Sequence, residues 1–142
     1  MLLLVFLINT LVVAVVVIVH YEFLRLLSKL IILVKIKPRL RIVFGVFGAL
    51  LAHAVEVWIF AFAYYAMINL DGWGQLSGNI DGSVLDCVYF SFSVFSTVGF
   101  GDIVPLGHLR YLTGIESLTG LVLITWSASF LYYEMQKYWH KA

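Results

Sequence analysis

The sequence predicts an all-α membrane protein in which each chain crosses the bilayer three times and sends a fourth, shorter helix partway in. Three observations carry that expectation. Hydrophobic residues make up 63% of the 142 residues and charged residues 12%, with a mean hydropathy of +1.01. Soluble domains hold about a quarter charged residues and roughly half apolar ones. The apolar residues collect into four segments, 2–19, 42–68, 83–96 and 106–133, and the charges between them are segregated by sign. Segments one, two and four approach or exceed the about 20 residues that a helix needs to cross. Segment three would extend only about 21 Å as a helix and stops short.

The first segment is interrupted only by Asn9 and Thr10. It lacks the basic lead and small-residue cleavage site of a secretory signal and outruns the apolar region of one. It reads as a retained transmembrane helix, 1–27, with Asn9 and Thr10 hydrogen-bonding to a neighbouring span. A basic linker follows at 28–41, carrying Lys29, Lys35, Lys37, Arg39 and Arg41. By the positive-inside rule it belongs on the cytoplasmic side. Within this region, residues 26–36 either form an interfacial helix in the headgroup layer or continue the first helix. His20, Glu22 and Arg25 fall near this boundary, where solvation or snorkelling is the expectation.

The region 42–135 reads as one unit, with an outer helix at 42–68, a re-entrant helix at 83–96, a loop at 97–102 and an inner helix at 106–135. A short cytoplasmic tail, 136–142, closes the chain. The turn-rich loop between the outer and re-entrant helices carries Asp71 and Asp81 and faces outward with Asp86 and Asp102. The N-terminus is therefore expected outside and the C-terminus in the cytoplasm, in the cell membrane. Tyr64 and Tyr65 would mark the outer interface, and Tyr132, Tyr133, Tyr138 and Trp139 the inner one. Ser83-Val84-Leu85-Asp86 has the form of a capping box, which places the start of the re-entrant helix.

Irregular backbone at membrane depth is tolerated only where protein buries it or where it lines a water-filled path. Thr97-Val98-Gly99-Phe100-Gly101-Asp102 suits the second use. Rings of backbone carbonyls can replace the hydration shell of a cation, provided successive C=O groups turn the same way. Gly99 and Gly101 permit the dihedrals this needs. Val98 and Phe100 would pack behind the strand, and Asp102 would sit at the outer mouth. The C-terminal end of the 83–96 helix, negative by its dipole, would favour a cation in front of it.

These six residues resemble the filter of the potassium channel family, Thr-x-Gly-Tyr/Phe-Gly. The resemblance covers about 85–133 and, more loosely, the outer helix. It implies a potassium-selective channel that conducts passively, with K+ coordinated at Thr97, Val98, Gly99 and Phe100 and supported by Gly101 and Asp102. A family pore needs four such strands, so one motif per chain implies a homotetramer with twelve spans. Permeant K+ is the only ion implied, and no cofactor is expected. Gly120 lies where the family often has a gating hinge; a small residue for close helix packing is the other reading. Three features depart from the family pattern. Phe100 lacks the commoner phenol, Val94 and Phe95 stand where relatives carry hydroxyl or indole groups, and the N-terminal span is additional. A thinner hydrogen-bonded cuff around the filter is expected.

His53 and Glu56, three apart, share a face, and Glu116 lies at comparable depth in the last span. Ionisable groups there cost several kcal/mol unless paired. Either Glu56 makes a proton-sensitive contact with His53 or Glu116, or the three form a static polar cluster. The single cysteine, Cys87, excludes an internal disulfide and reads as a small packing residue. A net charge of +1 offers nothing for nucleic acid. No nucleophile, base and orienting group can be placed together, so an enzyme is not expected. The alternatives to a potassium channel are a non-selective cation channel and a non-conducting membrane subunit that modulates another channel.

Overall fold

The computed structural model describes residues 2–33 and 37–139. Its elements in chain order are α1 (Leu2–Leu33), α2 (Pro38–Ile68), β1 (Leu76–Gly78), α3 (Val84–Phe95), β2 (Ile103–Pro105) and α4 (Leu109–Trp139). Helices α1, α2 and α4 have 32, 31 and 31 residues. At about 1.5 Å per residue each exceeds the roughly 30 Å hydrocarbon core of a bilayer. All three contain stretches apolar enough to span it. The chain is an all-α multi-pass membrane protein.

Helices α1 and α2 run antiparallel. Leu27 packs against Gly48, Ile31 against Gly45, and His20 reaches Glu56. The buried positions on α1 are Val5, Asn9, Val16, His20, Leu24, Leu27 and Ile31, a single stripe at helical spacing. Gly48 makes the approach possible, since a Cβ there would lie 2.4 Å from a Leu27 methyl. Helix α4 is antiparallel to α2, with Tyr64 beside Thr113 and Glu116 and Gly45 beside Leu131. Helix α3 rests on both, with Ser91 against Val57 and Phe95 against Gly120. Within one chain, the most apolar windows of the three long helices are only 17% to 28% buried. The remaining apolar faces suit lipid or further protein.

The region expected to be a linker, 28–41, is mostly helix. Helix α1 continues without a break to Leu33, and α2 begins at Pro38. The physical reason is that Leu27 and Ile31 are buried against Gly48 and Gly45 of α2, so the extra turns are held by packing. Proline at the start of α2 removes an amide that would have lacked a helical partner. Residues 34–36 of the expected interfacial helix, and 140–142 of the expected tail, lie outside the described residues. The inner helix starts at Leu109, three residues later than expected, because Ile103–Pro105 pairs as a strand with Leu76–Gly78.

Candidate functional site

The site is built around the C-terminal end of α3. Ser83 caps its start: the Ser83 hydroxyl accepts from the Asp86 amide at 3.1 Å, and the Asp86 carboxylate accepts from the Ser83 amide at 3.1 Å. Asp86 also accepts from the Asp81 amide at 2.9 Å. These bonds hold its carboxyl below the usual carboxylate range. The capping box expected from sequence is therefore present, and it sets the register of α3.

Residues 97–102 leave α3 in a backbone that alternates. Thr97 has φ 60°, Gly99 φ 58° and Gly101 φ 81°, while Val98 and Phe100 keep negative φ. Alternation of left-handed and ordinary conformations turns successive carbonyls to the same side. Glycine accounts for two of the three left-handed positions. Thr97 is the third, and for a β-branched residue this is a strained state that the surroundings must impose.

The surroundings do so through the amides. Thr97 N–H donates to the Val94 carbonyl at 2.9 Å, Gly99 N–H to the Ser93 carbonyl at 3.0 Å, and Phe100 N–H to the Ser93 hydroxyl at 3.1 Å. With these amides tied to α3, the carbonyls of 97–101 accept no hydrogen bond among the described residues. Residues 97–101 are exposed within the single chain, and their carbonyls form an uninterrupted row without a protein partner among the described residues.

Further out, Tyr89 of α3 donates to the Asp102 carboxylate at 2.9 Å, and its ring stacks on Phe100 with centroids 5.9 Å apart and planes 6° apart. Asn79 N–H donates to the Asp102 carbonyl at 3.1 Å, which ties the loop's end to β1. Gly78 allows this, because a Cβ there would meet the Asp102 carbonyl oxygen at 2.1 Å. Phe100 stacks on Tyr89, and both Val98 and Phe100 are exposed within the single chain. The expected thinning of the hydrogen-bonded cuff is offset: Val94 and Phe95 supply no side-chain bond, but Ser93 and Tyr89 do.

Gly120 lies against the base of α3. A Cβ at that position would meet the Phe95 carbonyl oxygen at 2.1 Å, so close packing is one role the geometry assigns it. Helix α4 runs unbroken through this point. Cys87 is fully buried, as a packing residue should be.

The polar residues expected as one cluster, His53, Glu56 and Glu116, are divided between two. Glu116 pairs with neither of the others. Its Oε2 accepts from the Tyr64 hydroxyl at 2.6 Å, and its Oε1 lies 2.5 Å from the Ser91 hydroxyl. Its side of α4 faces α3 and the C-terminal end of α2, whereas Glu56 faces α1. Tyr64 is consequently fully buried and does not mark an interface. Glu56 lies between two imidazoles, with His53 Nδ1 2.9 Å from Oε2 and His20 Nδ1 2.7 Å from Oε1. His20 is fully buried, not solvated. The expected partners of Asn9 and Thr10 also differ. Thr10 donates to the Phe6 carbonyl of its own helix, and Asn9 is buried with no hydrogen-bond partner among the described residues. Glu22 and Arg25 form an exposed ion pair at 2.7 Å, as their boundary position suggested.

Three apolar spans, a short capped helix between two of them and a free-carbonyl loop at its end define a membrane protein of the ion channel class. A family model described as "Ion channel" matches residues 52–137, more than half of the chain. The protein belongs to this ion channel family. No curated protein matches the chain closely enough to count as a relative.

Proposed function

We propose that the chain is a potassium-selective channel, and that four copies surround one conducting axis with residues 97–102 as its selectivity filter. The observation that carries this reading is the row of unpartnered carbonyls at 97–101, held by amides that bond back to α3. Oxygens in such a row can replace the water around a dehydrated K+. Carbonyls of Thr97, Val98, Gly99 and Phe100 coordinate the ion. Gly101 supplies the last left-handed step, and Asp102 shapes the entrance through its bond to Tyr89.

A single chain offers one wall of such a path, and the exposed apolar faces of α2 and α4 suit contact with neighbouring copies and lipid. In this arrangement the filter mouth and the N-terminus face outward, and the basic 28–41 region and the C-terminus lie in the cytoplasm of a cell-membrane protein.

The test is purified protein in liposomes. A complex near four times 16.1 kDa, rubidium uptake, and a reversal potential that follows K+ over Na+ are expected. Gly99→Ala should abolish uptake: its Cβ would meet no atom of its own chain within 4 Å, so within the chain the loss would come from the left-handed backbone. Equal K+ and Na+ permeability would assign a non-selective channel. A monomer, or no flux from the chain alone, would assign a modulatory subunit.

A further inference from the structure

We propose that His20, His53 and Glu56 form a binding site for a divalent transition-metal ion of the zinc class, which joins α1 to α2 inside the membrane. Ion coordination in the 97–102 loop makes no use of these residues. They come from two helices: His53 and Glu56 sit one turn apart on α2, and His20 crosses from α1. One ligand atom from each lies within 4.8 Å of the others. The two histidines address different carboxylate oxygens, at 2.7 and 2.9 Å, so neither blocks the other.

The donor set is chemically specific. Two imidazoles and one carboxylate are the three-ligand set of many zinc sites, whose fourth position holds water. Imidazole favours zinc, copper and nickel over the hard alkali and alkaline-earth cations, so the permeant ion would not compete here. Zinc bonds of about 2.0–2.2 Å place tetrahedral ligand atoms about 3.4 Å apart. The observed 2.7 and 2.9 Å separations are hydrogen-bonded ones to different carboxylate oxygens. Metal binding needs ligand atoms now spread over up to 4.8 Å to regroup to that spacing through χ rotations of the three side chains.

A static polar cluster accounts for less of what is seen. Both imidazoles commit Nδ1 to one carboxylate, and among the described residues Glu56 has no other partner. The remaining nitrogen of His20, Nε2, is buried with no partner. Groups placed at this depth only to orient helices would be expected to close their hydrogen bonds. Here the bonding capacity converges on one point and leaves the rest open. Two neutral imidazoles and an ionised carboxylate, the form that binds metal, leave a negative charge in a low-dielectric setting, and a divalent cation meets that charge. Glu56 and His20 are fully buried, while His53 is 15% exposed and provides the entry. The bound ion would lie beside Trp126 of α4 and Phe95 of α3, whose rings are 5.1 Å from His20 and 5.7 Å from His53.

The test reads binding without ion flux, so its failure and a failure of conduction are separate results. Tag-free full chain in detergent would be titrated with Co2+ and then Zn2+. One Co2+ per chain, with the visible absorption of a four-coordinate site and displacement by Zn2+, is expected. Glu56→Gln and His20→Gln should each weaken binding at least tenfold. A variant with both other histidines replaced, His108→Ala with His140→Ala, should bind as wild type does. Absence of stoichiometric uptake, unchanged affinity in Glu56→Gln, or loss of binding in the His108/His140 variant would overturn the proposal. Should the Gln variants not fold, X-ray absorption of the zinc-loaded wild type decides: two imidazoles in the shell support the site, and an all-oxygen shell refutes it.

Discussion

A Cβ on Gly120 would lie 2.1 Å from the carbonyl oxygen of Phe95 and 3.0 Å from its Cα, so α4 and the base of α3 meet backbone to backbone. The 97–102 loop starts two residues beyond this contact and inherits its position.

Gly120→Ala should therefore be costly even though alanine favours a helix. Overpacking against atoms that cannot rotate away costs about 1–3 kcal/mol, and backbone neighbours put this case at the upper end. A lowered melting temperature is expected. If Gly120 served only as a hinge, Ala would leave stability intact and alter opening alone.

Tyr89→Phe removes the hydroxyl that donates to Asp102 and keeps the ring on Phe100. A lost hydrogen bond of this kind costs about 1 kcal/mol, so the fold should survive. If residues 97–102 form the filter as proposed, rubidium flux should begin normally and decay faster than in wild type. Flux identical to wild type over the whole time course would show that the bond does not hold the outer mouth.

Glu116 is held by two hydroxyls that each have a second acceptor: Ser91 also faces the Val57 carbonyl at 3.0 Å, and Tyr64 faces Thr113 at 3.2 Å. An amide satisfies this arrangement. In Glu116→Gln the NH2 donates to Ser91, releasing the Ser91 proton to Val57, and the amide oxygen accepts from Tyr64. Stability should stay within about 1 kcal/mol of wild type. Glu116→Ala leaves each hydroxyl only its second acceptor, so two hydrogen bonds worth about 1 kcal/mol each are lost and a buried gap opens where the carboxylate stood. Thermal melts that rank Gln with Ala would refute the count.

Asp86 gives a pH dependence with a definite sign. Its folded-state pKa is lowered from 3.8 by bonds from Ser83 and Asp81. A depressed carboxylate contributes stability that is fully present above its unfolded pKa and is lost as pH falls through the folded one. Melting temperature should therefore drop below about pH 4, and Asp86→Asn should flatten that limb while lowering stability at neutral pH. Ser83→Ala should cost about 1 kcal/mol through the lost cap.

Much of the architecture was legible because its causes are local. Segment lengths set three crossings and one short helix, and Ser83 with Asp86 marked the start of α3 to the residue. Gly99 and Gly101 announced two of the three left-handed steps. The third, at Thr97, carried no local signal, since threonine adopts that conformation only when α3 imposes it. His20 was read as solvated because it stands near the basic stretch. It is buried because α1 is longer than its apolar core suggested and lies along α2 at that depth.

Composition and spacing, by themselves, determined that this chain lives in a membrane, how many times it crosses and which six residues leave regular structure between the last two spans. Tertiary structure alone decided that His20 joins the local His53–Glu56 pair while Glu116 joins Tyr64 and Ser91. The reason is the solvent. In water a helix buries its apolar face and its periodicity reveals which one. In lipid the covered and uncovered faces are both apolar, so rotation about each helix axis leaves little trace in the pattern, and packing between distant segments sets it.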